Sequence, residues 1–183
     1  MWRSSNAALL AALALGACGS SHVAATSSSS APSSSPATAA AGRCPALTTA
    51  YVGTQGATGH LEVTFSVRNV SKRPCHVGGY PAARLLDAAG RTLPMTIQRG
   101  HGFFPDTLRA PRSVTLAPGA RARFGLSFVT NNEYAGAHRC HTVARAEAGM
   151  PGRSAARWMP VSLRGAPRLM PCGTKLVVSP VYA

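Results

Sequence analysis

Two imidazoles and a thiol fall within four residues at His138-Arg139-Cys140-His141. As a free thiolate, Cys140 could join the two rings in holding zinc or copper. The other cysteines argue against that. Of five in the chain, Cys18 stands near the N-terminus, and Cys44, Cys75, Cys140 and Cys172 lie in the long C-terminal part. No two of these four have the C-x-x-C spacing of a zinc site. In an exported chain, an even number of cysteines favours disulfides. Four cysteines allow three connectivities. Cys44–Cys75 and Cys140–Cys172 are preferred, because they close separate loops of similar length. The Cys140 sulfur is then occupied, two histidines alone bind weakly, and no metal is expected.

Acid–base chemistry is poorly supplied. Glu62, Asp87, Asp106, Glu133 and Glu147 are the only carboxylate side chains. Glu62 falls in the polar register of a strand and Asp87 in a turn, which leaves few pairs for glycosidase-type catalysis. The chain has no G-x-S-x-G elbow, P-loop, dinucleotide fingerprint or H-E-x-x-H. No catalytic residue and no cofactor are expected. One rival reading stays open, an envelope enzyme whose site is assembled from distant loops.

The thiol with assignable chemistry is Cys18. It ends the apolar run Ala7–Ala17, whose 11 residues are too few for a helix crossing the hydrocarbon core, which needs about 20. Behind Arg3, the run has the layout of an export signal. Leu15-Gly16-Ala17-Cys18 resembles the bacterial lipobox. That resemblance implies cleavage before Cys18 and transfer of a diacylglyceryl group to its sulfur. Two acyl chains anchor stably where one holds only marginally. The chain is therefore expected to be exported and held on the outer face of the cell membrane.

The elements that would position any binding residue come next. Residues 1–17 form the signal. Cys18 and the Ser/Ala/Pro-rich stretch to Gly42 form a linker without acids, aromatics or apolar period, and it is expected to stay disordered. Its span is roughly 25–30 Å. Residues 43–183 are long enough for one domain with its own core. His60–Ser71 alternates Leu61, Val63, Phe65 and Val67 with Glu62, Thr64, Ser66 and Arg68, the period of a half-buried strand. Ala82–Met95 reads as a hairpin around Asp87–Gly90. Ser113–Val129 reads as two strands around Pro118-Gly119, the second burying Ala122, Phe124, Leu126 and Phe128. Further strands are expected at His141–Glu147, Trp158–Leu163 and Lys175–Ser179. With no convincing helical period, the pattern predicts an all-β antiparallel sandwich of about seven to nine strands.

Several motifs occur in order: the Asn69–Cys75 turn, Gly79-Tyr80-Pro81, Asp87–Gly90, Leu116-Ala117-Pro118-Gly119, and Cys172-Gly173 leading into "LVVSPV". In these the chain resembles the actinobacterial secreted family known as domain of unknown function 4232, from Cys44 to the C-terminus. The resemblance implies an immunoglobulin-like sandwich on exported or lipid-anchored proteins, and no established activity or site residues. Asn69-Val70-Ser71 also spells a glycosylation sequon, taken here as coincidence in a bacterial chain.

Two features bear on partners. The net charge is +14, with Lys72 and Lys175 the only lysines. Such an excess attracts anionic headgroups and wall polymers. The arginines are scattered and no recognition helix or zinc finger accompanies them, so no nucleic acid is expected. The second feature is the loop Gln98–Arg112, which carries His101, Phe103, Phe104, Asp106 and Arg109. Loops of this length on rigid sandwiches often bind ligands. His101, Phe103, Phe104 and Arg109 are the candidate binding residues, although the two rings are better read as folding back over the open end. The chain is read as a non-catalytic, lipid-anchored envelope protein that binds or scaffolds an unidentified partner, such as an anionic envelope polymer or another envelope protein. The second rival is a structural protein of the wall or membrane surface acting through charge alone.

Overall fold

The strongest alternation in the sequence marks the centre of the fold. In the computed structural model, residues 42–102, 109–131, 139–151 and 158–183 are described, and they contain strands and turns without a helix. Strand β3 (His60–Asn69) lies between β2 (Leu47–Ala57) and β8 (Arg121–Val129), both antiparallel to it. Val63 faces Leu126, Phe65 faces Phe124 and Val67 faces Ala122 across the ladder. All six are buried. The Phe65 and Phe124 rings lie 5.7 Å apart, and Tyr51 meets Phe65 edge-on. Beyond β8 come β11 (Cys172–Val178) and then β6 (Thr96–Arg99), completing a five-stranded sheet.

Two three-stranded sheets share its core. One orders β1 (Gly42–Arg43), β4 (Cys75–Gly78) and β7 (Ser113–Leu116). The other orders β10 (Met159–Val161), β9 (Arg145–Gly149) and β5 (Ala82–Leu86). Val77, Leu116, Leu85, Ala146, Ala148 and Val161 join the large sheet's apolar residues in one buried cluster. The result is an open β-sandwich. Disulfides join Cys44 to Cys75 and Cys140 to Cys172, closing the two separate loops favoured by length.

The strand count is eleven among the described residues rather than seven to nine. The excess lies in segments such as two-residue β1 and three-residue β10, too short to show an alternation. Nor is the sandwich wholly antiparallel: β1 runs parallel to β4, and β6 parallel to β11. The expected Ala82–Met95 hairpin is reduced to a turn. Its second arm keeps only a bridge from Leu86 to Thr92, and Pro94 lacks the N–H needed to continue a ladder. The turn itself is well made, with φ +79° at Gly90. The Arg91 backbone N–H donates to Asp87 Oδ1 and its guanidinium to Oδ2, both at 2.9 Å. These bonds, the backbone one foremost, hold the Asp87 carboxyl below the usual carboxylate range. The strands flanking Pro118-Gly119 do not pair as a hairpin, since β7 joins β4 and β8 joins β3.

Glu62 departs most from expectation. It occupies the polar register of β3, yet its exposure is 0 %. The polar face of a central strand is covered here, and Ser66 and Ser127 are buried with it.

Candidate functional site

The Gln98–Arg112 loop meets that face at Gly102. β6 delivers the chain to Gly100, whose N–H donates to the Val178 carbonyl at 3.1 Å. Gly102 then lies against Glu62 and Ser127, and a Cβ added there would land on Glu62 Oε2 and Ser127 Oγ. Ser127 Oγ–H donates to Glu62 Oε2 at 2.8 Å. Only a residue without a side chain brings the backbone this close. Gly102→Ala is expected to destabilise the domain by roughly 1–3 kcal/mol through overpacking. Placed in a background carrying both Glu62→Ala and Ser127→Ala, the same change is expected to cost under about 0.5 kcal/mol, because both atoms the methyl would strike are gone. Urea melts of the four-member cycle measure this coupling.

The far arm of the loop is pinned separately. The Arg109 guanidinium sits 5.4 Å from the centroid of the Tyr182 ring, a contact worth about 0.5–1 kcal/mol at an exposed site. Tyr182 is itself held by paired backbone hydrogen bonds with Arg123, at 2.7 and 2.9 Å. Between this arm and the C-terminal segment lies a groove of about 500 Å³ walled by Arg109, Arg112, Val114, Val181 and Tyr182. Gly78 lets β4 approach the same arm, since any Cβ there would strike the Arg112 carbonyl oxygen.

The groove brings together two guanidiniums and a phenol. Each guanidinium can clamp a carboxylate or phosphate through paired N–H donors, and its neighbouring apolar wall can hold the attached carbon skeleton. The described lining contains no imidazole and no carboxylate side chain. Of the candidate loop residues, Arg109 lies in this groove. His101 is exposed beside the Glu62 contact and is not among its lining residues. Phe103 and Phe104 lie outside the described residues, as does Asp106.

Arg112 and Tyr182 were not legible in the sequence. Arg112 ends the loop as an ordinary basic residue, and Tyr182 follows β11 in "SPVYA" with no spacing that ties it to a loop 70 residues earlier. At His138–His141, Cys140 is committed to Cys172 and His138 is outside the described residues. A second groove of about 570 Å³ runs between Leu47–Thr49 and Trp158–Pro160. Thr49 Oγ1 donates to the Pro160 carbonyl at 2.8 Å between its walls. Trp158 there stacks against Arg84, whose charge is already paired with Glu147.

With this architecture in place, comparison by sequence is decisive on kinship. Residues 44–182 match the family described as Domain of unknown function (DUF4232). The chain belongs to the DUF4232 family. The match runs from the first disulfide cysteine to Tyr182 of the groove, so it takes in every strand of the sandwich but β1. Among curated proteins and solved structures no match was found. This DUF4232 domain must therefore be read from its own residues.

Proposed function

We propose that this chain is a non-catalytic, lipid-anchored envelope protein whose DUF4232 sandwich binds a partner outside the cell membrane. The observation that carries this reading is the division of its five thiols. Four are consumed in two disulfides, a bonding state that persists in oxidising compartments. The fifth, Cys18, closes an apolar run after two small residues, as a lipid-accepting cysteine would. The Arg109–Arg112–Tyr182 groove supplies the binding element, suited to a partner bearing a carboxylate or phosphate.

Cell fractionation tests the anchor. The natural chain is expected in the membrane fraction, with an N-terminal peptide beginning at acylated Cys18 by mass spectrometry. Cys18→Ser is expected to abolish acylation and leave the unprocessed apolar run in place. An unmodified Cys18 in the natural chain, or free thiols in the folded domain, overturns the reading.

A further inference from the structure

The end of the sandwich where residues 1–41 join it carries a second, unassigned surface. Gly42 lies opposite Cys75 on β4, and Arg43 opposite His76. Three residues beyond Arg43, Ala46 accepts a hydrogen bond from the Val70 N–H at 3.2 Å. The preceding chain therefore reaches the domain beside the 69–74 turn. That turn and its neighbours are basic. Arg68 stands directly opposite Arg121 on the ladder of β3 and β8, with Arg123 two residues along the same face. Lys72 and Arg73 project from the turn, and Arg43 lies on β1. All six are exposed. Arg68 Nε–H donates to the Gly119 carbonyl at 3.1 Å, which fixes the guanidinium next to Arg121.

Nothing acidic answers these charges among the described residues. The two ion pairs found there engage Asp87 with Arg91 and Glu147 with Arg84. Glu62 is buried at the other end of β3, about 20 Å from Arg68 at six strand residues. Two like charges directly opposite on a ladder destabilise a sheet, so the arrangement favours an anionic surface laid against it. Val70 stands in the same turn at 49 % exposure, an apolar tip amid the cations.

We infer that Arg43, Arg68, Lys72, Arg73, Arg121 and Arg123 form a seat for the anionic headgroups of a bilayer, holding the domain turn-first on the membrane. A bilayer suits this end because Gly42, to which residues 1–41 are joined, lies opposite Cys75 beside the turn. The inference uses the proposed anchoring only to place the domain near a membrane. Failure of the anchor would show in the N-terminal mass spectrum, and failure of the seat in the measurement below.

The test uses the full chain carrying Cys18→Ser, so that no acyl group contributes. Binding is measured to vesicles of phosphatidylcholine alone and of phosphatidylcholine with about one-third phosphatidylglycerol. The ratio of the two affinities removes any contribution from the apolar N-terminal run. Each cation near an anionic surface contributes roughly fivefold in affinity. Together, Arg68→Gln, Lys72→Gln, Arg73→Gln and Arg121→Gln are expected to lower the ratio roughly 600-fold, with the melting temperature retained. A control with Arg139, Arg145, Arg164 and Lys175 changed to Gln, the same loss of charge elsewhere, is expected to lower it less than about fivefold. Equal losses in the two variants, or a wild-type ratio near one, overturn the inference.

Discussion

Changing Cys44 and Cys75 together to alanine is expected to lower stability by about 3–4 kcal/mol, and changing Cys140 and Cys172 by a similar amount. The reason lies in the unfolded chain. The bridges span sequence separations of 31 and 32, and closing a loop of that size removes entropy worth about 3.7 kcal/mol. Each loss corresponds to a fall in melting temperature of roughly 10 °C for a domain of this size. The loops do not overlap, so removing both bridges is expected to cost close to the sum, about 7 kcal/mol. Against a typical margin of 5–15 kcal/mol, that would leave a fully reduced domain near the edge of folding. Cys44 and Cys75 are both buried, at 3 % and 0 % exposure, so their bridge should resist dithiothreitol until the domain opens. Thermal and urea melts of the two double variants measure the effect. A loss below about 1 kcal/mol in each would remove the unfolded-state account.

The strands that could be foreseen are those whose partner is written into their own pattern. β3 and β8 alternate cleanly, and Val63, Phe65, Phe124 and Leu126 are all buried where the period placed them. The cysteine pairing was open to three connectivities in the sequence, and the structure has the preferred one, with two separate loops of similar length. Partner choice between distant strands was not legible. Pro118-Gly119 marks a real turn, with φ +80° at Gly119, but a turn signal does not say whether the chain returns in the same sheet or crosses to another. Here β7 and β8 fall in different sheets. Glu62 was misjudged as a solvent-facing residue because period two separates the faces of a strand without saying what covers the second face. The candidate site was legible only through Arg109. Its companions come from the end of the loop and from the C-terminal segment, brought together by β6 pairing in parallel with β11, a long-range contact that leaves no local signature.

Asn69→Ala is expected to destabilise the domain by roughly 2–4 kcal/mol. The Asn69 side chain is 0 % exposed and its amide is fully engaged. Its Nδ2 donates to the Arg73 carbonyl at 2.8 Å and the Leu116 carbonyl at 3.0 Å. Its Oδ1 accepts from the Ser71 backbone N–H at 2.9 Å and from Ser71 Oγ–H at 2.7 Å. One side chain thus closes the 69–74 turn and ties it to the end of β7. Truncation strands the buried Leu116 carbonyl, at about 1–3 kcal/mol, and also loses the local turn bonds. Asn69→Asp separates the two roles. It keeps the acceptor toward Ser71 but sets a buried carboxylate against two carbonyl oxygens, so it is expected to be no more stable than Asn69→Ala at neutral pH. Below the carboxyl's own titration the protonated form regains one donor, and the gap to wild type should narrow as pH falls. Urea melts at neutral and acid pH measure both variants. Because Lys72 and Arg73 ride on this turn, Asn69→Ala should also weaken binding to anionic vesicles while every cation remains in the chain. An unchanged vesicle affinity would mean that the charges act without the geometry that Asn69 imposes on them.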